Sequence, residues 1–292
     1  MRYLSYLLPA VLAGAVAAGV GSAVRAAPDE RSASVAAAPA PQTGERRSVR
    51  AGPAQSLEGG NARAGVDADP GGTRGDHAFY FTRGMYTGDR WGRAAWSTDY
   101  PKADKQFLTV LRRLTNLDAY DSDHAMALDD PELRRHPFLY MLEVGSMSLT
   151  PAEMTGLRDY LLAGGFVFID DFWGTREWWN FEQQMRQVLP EHEIVDLPLD
   201  HPIFSSLYQV REIVQVPSVI NWRRRRQTSE QDGFVPHARA IFDHDGRLMV
   251  MINWNTDIGD AWEWAEQPDY PLEFSTFAYQ MGANAVVYSM SH

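Results

Sequence analysis

Two adjacent carboxylates, Asp170 and Asp171, close the apolar run Phe166-Val167-Phe168-Ile169. A pair of acids at the end of a strand suits either a hard cation or general acid–base work. Neighbouring strand residues point to opposite faces, so only one of the two reaches a shared site directly. The other reading is structural, with a carboxylate capping the following helix near Gly174-Thr175. Arg83 and Tyr86 follow an earlier apolar strand, and Asp99-Tyr100 precede a helical stretch. An arginine there either clamps a carboxylate or phosphate or pairs with an acid to order the loops. Asp257, Asp260 and Trp262 belong to an acidic, aromatic segment with Glu263 and Trp264. Tryptophans interleaved with carboxylates suit sugar stacking or a protein-binding edge, and plain packing of a lid is the alternative. His201, in Asp200-His201-Pro202, has no second histidine at ligand spacing and fits a turn before Pro202 better than a zinc site. Residues 257–260 do not follow the spacing of a calcium-binding EF-hand loop. No metal site and no cofactor follow from these motifs.

The chain has no cysteine. That excludes disulfides, thiolate metal sites, a lipid-attachment cysteine and a cysteine nucleophile. Ser146, in Glu143-Val144-Gly145-Ser146-Met147, is the nearest substitute after a sheet strand. Val144 and Ser148 stand where a Gly-x-Ser-x-Gly elbow has its glycines, so the serine lacks its usual setting. The run Arg223–Arg226 reads as a solvated loop or an internal counter-charge in an acidic protein rather than a nucleic-acid patch.

Elements that would hold these residues in place alternate along the chain. Thr150 caps a helix over Pro151–Ala163 that starts on proline, Leu157, Leu161 and Leu162 recur at helical spacing, and Gly164-Gly165 ends it. The run Phe166–Ile169 follows as a strand. Further strands are predicted at His77–Thr82 and Phe138–Val144, with Arg83–Gly88 as a glycine-bearing loop. Helices are predicted at Ala103–Leu114, with Phe107, Leu108, Leu111 and Leu114 on one face, and at Arg176–Val188. Ala238–Phe242 and Leu248–Asn253 flank Asp245-Gly246, a hairpin signal. A late helix over Glu273–Met281 and a last strand over Ala285–Ser289 complete the pattern. Strands alternating with helices imply a mainly parallel sheet, with antiparallel pairing at its edge from the hairpin.

Of the 292 residues, the first 26 have the form of a secretory signal: Arg2, an apolar run from Leu4 to Val20, and small residues before cleavage after Ala26 or Ala23. An uncleaved membrane anchor is the competing reading. Residues 27–75 are rich in Ala, Pro, Gly, Ser and Arg and too poor in large apolar side chains to offset chain entropy, which predicts a disordered linker. All nine tryptophans lie beyond it, so one folded domain is expected over 76–292. The net charge of the chain is −11, and residues 76–292 alone hold 32 acidic against 19 basic side chains. That balance argues against nucleic acid and against anionic lipid surfaces as partners.

A set of segments in order along the chain carries a family resemblance. They are Phe79-Tyr80-Phe81, Trp96–Pro101, Asp129–Leu133, Gly164–Asp171, Asp200–Phe204 and Asn253–Trp262. Together they resemble the bacterial domain of unknown function 4159 family, similar in fold to class I glutamine amidotransferases and ThuA-like proteins. The resemblance implies an α/β, flavodoxin-like three-layer sandwich. It also implies a neighbourhood of MoxR-type ATPases and von Willebrand A proteins, hence a protein partner in a membrane-associated or envelope complex. Without the amidotransferase cysteine, the chain is expected to be an exported, periplasmic or secreted binding or assembly module. The alternative is an enzyme acting on a small polar or carbohydrate substrate, with Asp170 or Asp171 as base and Arg83 as anion clamp.

Overall fold

The computed structural model describes residues 77–292. The signal-peptide and linker readings, 1–26 and 27–75, lie outside the described residues. Nine strands are seen there: β1 Thr82–Met85, β2 Asp89–Arg90, β3 Arg93–Ala94, β4 His124–Ala127, β5 Phe138–Leu142, β6 Phe166–Asp170, β7 Ile194–Asp196, β8 His237–Phe242 and β9 Leu248–Trp254. Six α-helices accompany them: α1 Lys102–Leu114, α2 Pro151–Leu162, α3 Gly174–Val188, α4 Val219–Arg225, α5 Ile258–Glu263 and α6 Leu272–Ser291. Seven strands form one sheet in the order β4-β1-β5-β6-β9-β8-β7, and β2 with β3 makes a separate ribbon. The five strands from β4 to β9 are parallel, while β8 runs antiparallel to β9 and β7 antiparallel to β8. The expected mainly parallel sheet with an antiparallel edge is therefore present. None of the helices among the described residues is long and apolar enough to cross a membrane.

Strand alternation divides the core. Phe138, Tyr140, Phe166, Phe168 and Met251 face α1, α5 and α6. Leu139, Met141, Val167, Ile169, Val250 and Ile252 face α2 and α3. Because β6 is covered on both faces, all five of its residues are buried and no polar alternation appears. The α2–β6 unit forms for local reasons. Thr150 Oγ1 accepts the Glu153 N–H, Glu153 Oε2 accepts the Thr150 N–H, and Pro151 occupies the first turn. Glu153 Oε1 also accepts from the Thr87 N–H and hydroxyl at 2.8 and 2.9 Å, tying this cap to the loop after β1.

Four expectations are corrected. The first strand lies at Thr82–Met85, not His77–Thr82, and Phe79 makes only an isolated bridge to Ala119. Gly84 is thus a strand residue; a Cβ there would come within 2.9 Å of Met141 Cγ, so its absence lets neighbouring chains approach. The predicted strand over Ala285–Ser289 is part of α6, which runs unbroken through Gly282. A Cβ at Gly282 would lie 2.5 Å from the Phe107 ring, so this glycine serves helix packing and does not end the helix. Finally, Leu114 is 42% exposed, and the buried face of α1 consists of Ala103, Asp104, Phe107, Leu108 and Leu111.

Candidate functional site

The strand order reverses between β1 and β5, and in open α/β sheets ligands bind beyond the carboxyl ends of the strands at such a point. Three neighbouring strands end there in the same way. Glu143 after β5, Asp171 after β6 and Asn255 after β9 all adopt left-handed backbone, with φ of 55°, 49° and 62°. Asp99, in the loop before α1, does so too, at 58°. Such non-glycine residues cost about 1–3 kcal/mol each and persist only where the surroundings enforce them. Here the enforcement is backbone pairing: Glu143 N–H donates to Asp171 O, Asp171 N–H to Thr256 O, and Asn255 N–H to Phe172 O, all at 3.0–3.1 Å.

Aspartates gather on this rim from three segments, the loop before α1, the end of β6 and the start of α5. Asp170, fully buried, accepts the Tyr140 hydroxyl at 3.1 Å and the Gly259 N–H at 2.8 Å on Oδ2. Asp171 Oδ1 accepts the Trp173 indole N–H at 3.0 Å. Asp257 caps α5 through Oδ1 and the Asp260 N–H at 2.8 Å. Asp260 accepts from Val219 N–H at 2.7 Å and from the Trp264 indole at 3.1 Å. One carboxylate oxygen each from Asp99, Asp171 and Asp257 lies within 4.8 Å of the others, and Asp99, Asp260 and Glu263 meet the same criterion. Asp99 Oδ2, Asp170 Oδ1 and Glu143 Oε2 are buried with no hydrogen-bond partner among the described residues.

Basic groups nearby are already engaged. Arg90 bridges Glu143 at 2.7 Å and Glu177 at 2.9 Å. Glu177 also accepts from Gln231 at 2.6 Å and from the Trp173 N–H at 2.7 Å, joining the β2–β3 ribbon, α3 and the 230s loop. Lys102 faces Glu263 at 3.9 Å. Asp99, Asp170, Asp171, Asp257 and Asp260 have no salt bridge among the described residues. Burial pushes the carboxyls of Asp170 and Asp260 up to about 7, while hydrogen bonds hold them from rising further. For Asp99, Asp171 and Asp257, burial and then the neighbouring acids raise the carboxyl well above the usual range. Glu143 lies against Arg90 and is still pushed up to about 11, since burial and Asp171 outweigh one guanidinium.

The structure brings together Asp99, Asp170, Asp171, Asp257 and Asp260 from the sequence candidates. Tyr86 lies below them, donating to Leu142 O at 2.6 Å. Arg83 is fully buried in a two-pronged pair with Asp104, and donates to Trp96 O at 3.2 Å and Thr98 O at 3.1 Å. Burial opposes its charge, but Asp104 more than offsets this. It orders the turn leading into Asp99. Tyr100 donates to Asp123 at 2.8 Å. Trp262 is core, packed on Phe107 at 4.4 Å between ring centres. His201 accepts from Ile203 N–H at 3.3 Å and packs on Phe242 and Tyr288, at the opposite end of the sheet. Asp170 is a cap, but of α5; the start of α3 is held by Asp232 on Thr175 and Asn255 on Gly174.

Glu143, Glu177, Arg90 and Asn255 were not among the candidates. Glu143 and Asn255 carry the same signal as Asp171, a polar residue directly after an apolar strand. Ser146 donates its hydroxyl to Glu143 O at 2.9 Å.

Fold and site together define an α/β protein whose mostly parallel seven-stranded sheet carries a cluster of largely buried carboxylates at the carboxyl ends of its strands. Residues 86–290 match the model of the family described as Domain of unknown function (DUF4159), and the chain belongs to that family. No curated protein matches it.

Proposed function

We propose that this chain is an exported, non-catalytic ligand-binding module of the cell envelope whose acidic recess takes a positively charged group. The carrying observation is the clustering of Asp99, Asp171, Asp257 and Asp260, none of which has a salt bridge among the described residues. Buried carboxylates in such numbers stay protonated or recruit a cation. A flavodoxin-like, amidotransferase-related architecture agrees with the five parallel strands, whose order by first appearance is 2-1-3-4-5. The missing cysteine and the Ser146 hydroxyl turned to a carbonyl argue against nucleophilic chemistry. A signal-like N-terminus supports export, and the acidic surface supports a protein or small polar partner over nucleic acid.

A second reading, an enzyme working through rim carboxylates, draws on one observation. Asp170 and Asp260 at about 7 are poised to exchange protons near neutrality. A thermal-shift panel on the full chain at pH 7.5 tests the first reading, with metal ions, polyamines, guanidinium compounds, amino sugars and neutral sugars. Stabilisation by cationic members alone is expected. Stabilisation by neutral sugars alone, or turnover of glycosides, esters or amides, would overturn it.

A further inference from the structure

The antiparallel edge of the sheet carries a group of polar side chains that the acidic rim does not use. His237 and Arg239 stand two residues apart on β8, so both side chains leave the same face, the one toward α3. Their register partners on β9 are Trp254 and Ile252, and Asp196 lies opposite Arg239 on β7. Trp178 of α3 closes over them. The Trp178 and Trp254 rings are 4.7 Å apart and tilted by 41°. The Arg239 guanidinium carbon lies 4.4 Å from the first ring centre and 5.2 Å from the second. His237 stacks on Trp254 at 4.9 Å and 22°. We propose that this arginine, seated on two indoles beside a histidine, binds the carboxylate of a small organic acid.

The guanidinium is positioned but not consumed. Contact with indole rings orients the group and leaves its hydrogen-bonding edge free. Asp196 approaches Nε at 3.1 Å, yet the Asp196 side chain is 83% exposed and Nε makes no hydrogen bond, so this is an off-axis ion pair of the weak surface kind. Nη1 and Nη2 donate to nothing among the described residues and reach solvent. Arg83 shows the contrast within the same fold, since all three of its nitrogens donate. The Trp254 indole N–H is likewise buried without an acceptor. Donors are thus collected here against one exposed acid. A carboxylate is the acceptor whose two oxygens match a guanidinium edge. Burial and the adjacent Arg239 lower the pKa of His237, so near neutrality the imidazole is uncharged and the site offers one positive charge. That suits a monoanion better than a phosphate group, which carries close to two charges. Val235 and Phe234, directly before His237 and 59% and 70% exposed, present apolar surface to the rest of such an acid. The site shares no residue with the acidic cluster, so it stands or falls apart from the cation-binding reading.

The probe is benzoate, titrated at constant ionic strength into the full chain, isotope-labelled at its tryptophan indoles and followed by NMR. Each of the nine tryptophans gives one indole N–H signal, and Trp178→Phe and Trp254→Phe assign the two at the site. Saturable shifts of these two signals are expected, with Kd at or below about 10 mM, ordinary for a ligand of about nine non-hydrogen atoms. Benzamide, the neutral isostere, should leave them in place. Arg239→Gln should weaken benzoate binding at least about tenfold, through loss of hydrogen bonds to a charged group. Asp196→Asn should instead tighten it about two- to fivefold, because the competing acid is gone. An arginine that only braces the sheet would show no such gain. Circular dichroism and the remaining indole signals check that the variants are folded. Absence of saturable shifts, equal shifts with benzamide, or unchanged affinity in folded Arg239→Gln overturns the inference. Asp196 is exposed, so its variant decides the matter even where Arg239→Gln fails to fold: unchanged or weaker binding in Asp196→Asn overturns the inference as well.

Discussion

Raising the pH of the cation-free protein from 5 to 7 should cost it stability, against the usual behaviour of carboxylates held by basic partners. The perturbed group is Asp170, fully buried and pushed by burial from 3.8 up to about 7. Between those values the folded state keeps a proton that the unfolded chain has released. Its stabilising effect is therefore complete below about pH 4 and is lost as the pH rises through 7. At up to about 1.4 kcal/mol per pH unit, falling off as the folded carboxyl becomes half-ionised near pH 7, the loss from Asp170 between pH 5 and 7 is about 2 kcal/mol. For a domain of this size that lowers the Tm by about 4–8 °C. Asp260, raised to the same value, works in the same direction. Glu191, Asp232, Asp243 and Asp269 are held low by hydrogen-bonded partners and are ionised throughout this window, so they contribute little slope. His201 and His237, lowered by burial, oppose the trend below about 6.5, as stability tied to a neutral imidazole is gained with rising pH. Comparison with Asp170→Asn isolates the carboxyl, because the amide keeps an oxygen for Tyr140 and Gly259 and has no such proton to lose. Scanning calorimetry of both proteins in chelator should show the wild type falling more steeply by about 2 kcal/mol over this range. Superimposable pH profiles would refute the reasoning.

Other outcomes follow from the scaffold. Thr150→Ala should cost about 1 kcal/mol by removing the cap of α2, read as a small shift in the urea midpoint. Arg83→Met should cost about 3–5 kcal/mol by stranding Asp104; the double variant with Asp104→Leu should be more stable than the single one in the same assay. Gly282→Ala gains about 1 kcal/mol of helix propensity but crowds Phe107 and Trp262 at a cost of about 1–3 kcal/mol, so a thermal melt should show net destabilisation of about 1 kcal/mol.

How far the fold is legible in the sequence depends on whether the deciding contacts are local. The Thr150–Glu153 cap, Gly164 at φ 109° and the Asp245-Gly246 turn are fixed within a few residues, and those elements fall where expected. Gly84 reads as part of a loop, and the end of α6 beyond Gly282 as a separate strand, because the contacts that decide both lie in Met141 and Phe107, far along the chain. The same holds for the site. Asp170 and Asp171 are visible as the end of a buried strand, but the partner of Asp170 is Gly259, 89 residues on. Arg83 has the chemistry of an anion clamp in isolation; only the docking of α1 shows that Asp104 has claimed it. Glu143 and Asn255 needed the recognition that three adjacent strands end alike, which requires the strand order.

The rim's long-range stitching has a consequence for folding. Gly174 bonds Asn255 across 81 residues, and Asp171 bonds Thr256 through the backbone, so the recess exists only once β9 has docked beside β6. Contacts of such separation carry the loop-closure cost that slows folding. A nascent or half-folded chain holds the same aspartates as scattered, ordinary acids with nothing to converge upon. Whatever occupies the recess therefore binds the finished fold and not its precursors, and by mass action makes completion of the last parallel strand harder to reverse.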